Sequence, residues 1–197
     1  MEDNTAATDT LINYFNTFFA LTAEEKELVV SSFQLRRYRK HQYVLQEGNN
    51  CQHFNFVLQG CLRMYQIDTR GNIHILQFAI EQWWVNDLHS FHKNIASNLN
   101  IDALEDTQIL QITYQNLIDL YEKAPRFNQI FRVLTENAYI GIQKRLLLNI
   151  SSTAEERYIH FATTYPYLLN RISQVQIAGY LGVTPEFLSR LRKKTIK

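Results

Sequence analysis

Apolar positions recur along this chain at two periods, and the switch between them divides it into three stretches. Leu11, Ile12, Phe15, Phe18 and Phe19 fall at helical spacing, with Thr8 or Asp9 in place to cap the segment. Thr22-Ala23-Glu24-Glu25 then has the form of a capping box, in which the hydroxyl accepts from the third residue's N–H and that residue's carboxylate reaches back. Leu28, Val29 and Phe33 give this second helix its apolar stripe. From about Arg36 to Thr113 the period shortens. Phe54–Leu58, Cys61–Tyr65 and Ile73–Phe78 are short runs rich in β-branched and aromatic residues, with turn signals at 47–50, 59–60 and 68–72. Ile101–Leu104 and Gln108–Ile112 follow as two more strands turning at Glu105-Asp106. Many short strands between turns predict an antiparallel roll, jelly-roll-like in its two layers.

After Thr113 the helical period returns. A short helix is predicted over Asn116–Lys123, and Pro125 suits the first turn of the next one, where its missing N–H costs nothing. Phe127, Ile130, Phe131, Leu134, Ala138 and Gly141 fall at steps of three and four along a helix reaching Ile150. An apolar stripe that long would lie open on a monomer, so these six residues are the expected dimer interface. A further amphipathic helix spans 154–165, ended by Pro166.

The last 26 residues read as a helix-turn-helix. Val175, Ala178 and Leu181 are expected to face inward on the first helix, with small Ala178 letting a second helix cross closely. Gly182 suits the positive φ of the turn, and Val183 plugs the angle. Thr184 caps the second helix and Pro185 opens it, with Phe187, Leu188 and Leu191 on its expected buried side. Glu186, Ser189, Arg190, Lys193 and Lys194 are left outside. Their chemistry fits a major groove: Arg190 for guanine O6 and N7, Glu186 for cytosine N4, Ser189 for phosphate or base. Lys193, Lys194 and Lys197 suit phosphates, which position without specifying.

Composition sharpens this picture in one respect. The overall charge is only +1, yet residues 1–123 carry 9 Lys and Arg against 15 Asp and Glu, while residues 124–197 carry 11 against 4. One end is built to meet a polyanion. Otherwise 46% hydrophobic and 20% charged residues are ordinary globular usage. No apolar run approaches the roughly 20 residues of a membrane span. The polar start Met1-Glu2-Asp3-Asn4 is not a secretory signal, so a cytoplasmic protein without membrane contact is expected. Cys51 and Cys61 are too few for a disulfide scaffold or a four-thiolate iron–sulfur cluster.

With these residues in view, the chain from about Leu11 onward resembles the Crp/Fnr family of bacterial transcription regulators. Gln46-Glu47-Gly48 is similar to that family's Glu-Gly turn, Phe56-Val57-Leu58-Gln59-Gly60 to its strand ending in Gly, and Ala103–Thr107 to the approach to its last roll strand. The resemblance implies an α+β protein with three parts. Residues 1–123 would form a cyclic-nucleotide-binding-like effector domain with its N-terminal helices, 124–150 a dimerisation helix, and 151–197 a helix-turn-helix domain. It also implies a homodimer on a double-stranded DNA operator, with RNA polymerase as a further partner and an unidentified small molecule as effector. Glu186, Ser189 and Arg190 match family residues that read bases, whereas Pro185 stands where another Arg is common. The family's nucleotide pocket uses Gly-Glu and then Arg followed by Ser or Thr. Asn86-Asp87 and Ser97-Asn98 stand there instead, a vestigial pocket that predicts no response to cyclic AMP. Nor does the stretch before Lys197 leave room for a full β-hairpin wing.

The remaining signals are weaker. His89 and His92, three apart beside Asp87, lack the further ligands a metal site needs. Trp83-Trp84 is expected to fill the roll core with one ring and to cover the long helix with the other. The basic run 36–40 reads as a solvated strand edge, and both cysteines as idle thiols. Neither an enzyme nor a cofactor or metal protein is expected. A small-molecule-binding β-roll whose helical tail contacts proteins is the alternative, and a metal-dependent β-roll enzyme comes third.

Overall fold

The computed structural model describes residues 2–195, with side chains from 4 to 192. The elements in chain order are α1 (Glu2–Asn16), α2 (Ala23–Ser32), β1 (Gln34–Tyr38), β2 (Tyr43–Leu45), β3 (His53–Gln59), β4 (Leu62–Ile67), β5 (Ile73–Ala79) and β6 (Trp84–Val85). There follow α3 (Leu88–Lys93), β7 (Asn100–Ala103), β8 (Thr107–Thr113), α4 (Tyr114–Lys123), α5 (Arg126–Ser151), α6 (Ala154–Thr164), a 3-10 turn (Pro166–Asn170), α7 (Gln174–Leu181) and α8 (Pro185–Thr195). The chain forms two compact units, residues 1–66 with 77–132, and residues 67–76 with 133–197.

Two four-stranded sheets make the roll, in the orders β1-β8-β3-β6 and β2-β7-β4-β5. Strand β8 runs antiparallel between β1 and β3, pairing Leu35 with Leu110 on one side and Phe56 with Leu110 on the other. The basic run 36–40 begins on β1, at a sheet edge where long charged side chains stay solvated and discourage further pairing.

An aromatic core closes the first unit. Trp84 lies 4.9 Å from Phe56, 5.1 Å from Phe54, 6.2 Å from Phe15 and 5.4 Å from Phe131, ring centre to ring centre. One tryptophan therefore ties the roll to α1 and to the start of α5. The capping box on α2 forms as its sequence predicts, with Glu25 N–H on Thr22 Oγ1 (3.2 Å) and Thr22 N–H on Glu25 Oε2 (2.9 Å). Helix α1 starts earlier than the pattern indicates. Instead of capping, Thr8 lies inside the helix and its hydroxyl donates back to the Thr5 carbonyl at 2.8 Å.

Burial along α5 corrects the expected dimer interface. Phe127, Ile130 and Phe131 are buried within the chain, against Phe15, Trp84 and Tyr121 among others, so they are unavailable to a second copy. Leu134 is half-buried, whereas Ala138 and Gly141 are exposed. Large apolar side chains on this helix do face solvent: Tyr139, Ile142, Leu146 and Ile150 form a stripe three and four apart, and Ile140 and Leu147 are exposed on another side. At 3.6 residues per turn that stripe lies about a third of a turn around the helix from the buried one. Only the first part of the regular stripe, Phe127 to Phe131, thus faces inward.

Candidate nucleic-acid interface and ligand pocket

The C-terminal helix pair is fixed by local chemistry. Ser173 and Gln176 form a capping box at the start of α7 (2.7 and 3.3 Å). Gly182 ends that helix at φ 68° and ψ 36°, left-handed backbone that a side chain would disfavour. The Val183 N–H then returns to the Ala178 carbonyl at 3.1 Å. Thr184 Oγ1 accepts the Phe187 N–H at 3.2 Å, fixing the first turn of α8. Ile177, Ala178, Leu181, Leu188 and Leu191 make the buried seam.

Glu186 and Arg190 are exposed one turn apart on α8, with exposed Thr184 capping its start and Pro185 and Ser189 half-buried beside them. Lys193 and Lys194 belong to the same helix, with side chains outside the described residues, as is Lys197. Two inward assignments are corrected. Val175 is 62% exposed and Phe187 39% exposed, because Ile177 and Leu188 fill those inner positions.

Sequence reasoning missed how α7 is held. A helix leaves its last carbonyls without intrahelical partners and its C-terminus partly negative. Here two arginines meet that end. Arg145 Nη2 donates to the Tyr180 carbonyl at 2.8 Å, and Arg157 Nη2 to the Leu181 carbonyl at 3.3 Å. Arg145 also donates to the carbonyls of Ile75 and Leu76 on β5, and its guanidinium stacks 3.9 Å from the Tyr180 ring centre. Burial of this group pulls its pKa below the ordinary arginine value, which the nearby tyrosines partly oppose. Close approach completes the joint: a Cβ on Gly179 would stand 2.9 Å from the Ile73 carbonyl oxygen. Two cations of the basic half are therefore committed inside the protein. Arg145 falls four residues after Gly141, continuing the steps of three and four along α5, which is the signal the sequence offers for it.

Two of the residues expected to form a vestigial pocket bond to one another. Asp87 caps α3, accepting from the N–H groups of His89 (3.0 Å) and Ser90 (3.2 Å). Its other oxygen accepts from the Ser97 hydroxyl at 2.7 Å. Both residues are buried, and their side chains face each other. Backbone bonds then stitch Ser97 to the opposite turn, Gly48 N–H to Ser97 O (2.7 Å) and Ser97 N–H to Asn49 O (2.9 Å). Asn98 is exposed, and the Asn86 amide nitrogen is buried without a hydrogen-bond partner among the described residues. His89 and His92 are exposed, and no group of three His, Cys, Asp or Glu among the described residues is placed to hold a metal. Burial raises the Cys51 thiol pKa, and Cys61 is also buried. No helix among the described residues is long and apolar enough to cross a membrane.

The described residues thus hold an antiparallel roll, a long helix and a capped helix-turn-helix. Residues 35–124 match the cyclic nucleotide-binding domain family. The fumarate and nitrate reduction regulatory protein of Vibrio cholerae is 28% identical over 174 residues, covering 78% of this chain and 65% of that protein. This chain thus spans about two thirds of that regulator's length. FixK2 from Bradyrhizobium japonicum superimposes with a TM-score of 0.68 at 19% identity, covering 82% of this chain and 83% of the other. The global regulator CLP of Xanthomonas campestris gives 0.71 at 16%, covering 88% and 91%. Likenesses this remote establish the fold. The fold is the one seen in solved regulators of the Crp/Fnr type.

Proposed function

We propose that the protein is a homodimeric, sequence-specific DNA-binding transcription regulator that does not answer to cyclic AMP. The observation that carries the reading is the exposed pair Glu186 and Arg190, one turn apart on a helix that Thr184 caps at its start. In this reading residues 1–123 sense, 124–150 pair two copies and 151–197 bind an operator. RNA polymerase, an unidentified small-molecule effector and a cytoplasmic setting complete the proposal, and no catalytic role is assigned. The sequence relatives named as regulators support it.

Electrophoretic shift at low and high salt tests the reading, because counterion release makes a DNA binder strongly salt-dependent. Arg190→Ala should cost about 1–3 kcal/mol on the bound site and relax preference at one base pair per half-site. Identical base preferences for wild type and Arg190→Ala would remove Arg190 from base readout.

Cyclic AMP and cyclic GMP are expected not to bind with micromolar affinity. A cyclic phosphate buried in a roll needs a compensating cation, and at that place Ser97 is already spent on Asp87. An unpaired buried charge costs several kcal/mol, enough to turn about micromolar into about millimolar affinity. Micromolar heats on calorimetric titration would contradict this part of the proposal.

A further inference from the structure

The recognition helix carries a side chain that neither the motif nor its polar face accounts for. Leu188 is 1% exposed and Leu191 8%, which completes the buried seam of α8. Phe187, their neighbour, is left 39% exposed. It lies one turn before Arg190 and next to Glu186, at the edge of the outward face. Its own backbone N–H is the one held by Thr184 Oγ1, so the ring stands on the capped first turn of the helix.

Base edges in the major groove are almost wholly polar. The exception is the C5-methyl group of thymine, which apolar side chains contact. An exposed aromatic ring flanked by a carboxylate and a guanidinium matches that surface: two hydrogen-bonding groups for cytosine or guanine, and one apolar patch beside them. We infer that Phe187 packs on a thymine methyl in each half-site and so sets a thymine preference next to the bases reached by Glu186 and Arg190. This rests on the DNA-binding reading above. A ring that served to bind another protein, or that only brushed deoxyribose, would show no dependence on the methyl group.

Deoxyuridine provides the probe, since it pairs as thymidine does and lacks only that methyl. The operator is first selected with the intact chain, and each thymine is then replaced symmetrically in both half-sites. Wild type should lose affinity at one position by about 3–5-fold per half-site, thus about tenfold or more overall, the worth of one buried methyl-sized group. Phe187→Ala should bind the thymine operator correspondingly less well and no longer distinguish thymine from deoxyuridine there. It should keep its preference at the base pair read by Arg190, which shows that the variant is folded and correctly docked. Equal wild-type affinity for every deoxyuridine operator overturns the inference while leaving DNA binding intact. Retained discrimination by Phe187→Ala assigns the methyl contact to another residue and overturns it too. Failure to bind any duplex specifically overturns both this inference and its parent.

Discussion

A double substitution, Ile142→Glu with Leu146→Glu, is expected to yield a folded monomer whose operator affinity is about 10²–10⁴-fold below wild type. Both side chains are more than half exposed on the protomer, so placing carboxylates there removes no internal contact. In a dimer the same positions would bring four carboxylates into an apolar seam, where burying unpaired charge is costly. The loss on DNA follows from linkage. Two recognition helices held together bind the second half-site as an intramolecular event, and a monomer forfeits that effective concentration. Sedimentation and fluorescence anisotropy measure the two effects on one sample. A double variant that still sediments as a dimer would place the pairing surface elsewhere on the chain.

The second large effect lies in the roll. Asp102→Ala should lower unfolding stability by about 3–5 kcal/mol, the usual consequence of removing one partner from a buried pair. Arg63 Nε meets Asp102 Oδ1 at 2.7 Å, and Nη2 meets Oδ2 at 2.9 Å, a two-point contact across the paired strands β4 and β7. Side-chain exposure is only 15% for Arg63 and 6% for Asp102. The hydrogen bonds to Asp102 and its charge raise the Arg63 pKa against the opposing effect of burial. Without the carboxylate a buried guanidinium keeps its charge and loses its acceptor. Replacing both residues, as Arg63→Met with Asp102→Leu, should recover much of the loss because no unpaired ion remains. Urea unfolding measures each variant. A near-neutral Asp102→Ala, or a double variant worse than the single, would contradict the assignment.

Which features the sequence reveals depends on how local their causes are. The capping boxes at Thr22 and the turn at Gly182 are set within a few residues, and both form as read. The strands from 53 to 78 and from 101 to 112 are carried by dense β-branched and aromatic runs, and fall within a residue or two of expectation. Strand β6 is only two residues long and is defined by its pairing with β3, which no local pattern announces. The inward stripe of α5 was legible, but periodicity alone does not say whether the covering surface comes from the same chain. Phe127 and Phe131 meet Phe15, more than a hundred residues away in sequence. Val175 and Phe187 were misassigned for a related reason. In helices of 8 and 11 residues, neighbouring apolar positions compete for one narrow seam. The sequence shows Ser at position 97, whereas its bond to Asp87 depends on a loop folding back across ten residues.

Selection of bound sites from random duplexes by the intact chain tests dimeric, sequence-specific DNA binding. One two-fold-symmetric sequence should be enriched, with half-sites centred about 34 Å apart, one turn of DNA. An unenriched pool, or an enriched sequence with a single half-site and no symmetry, would contradict it.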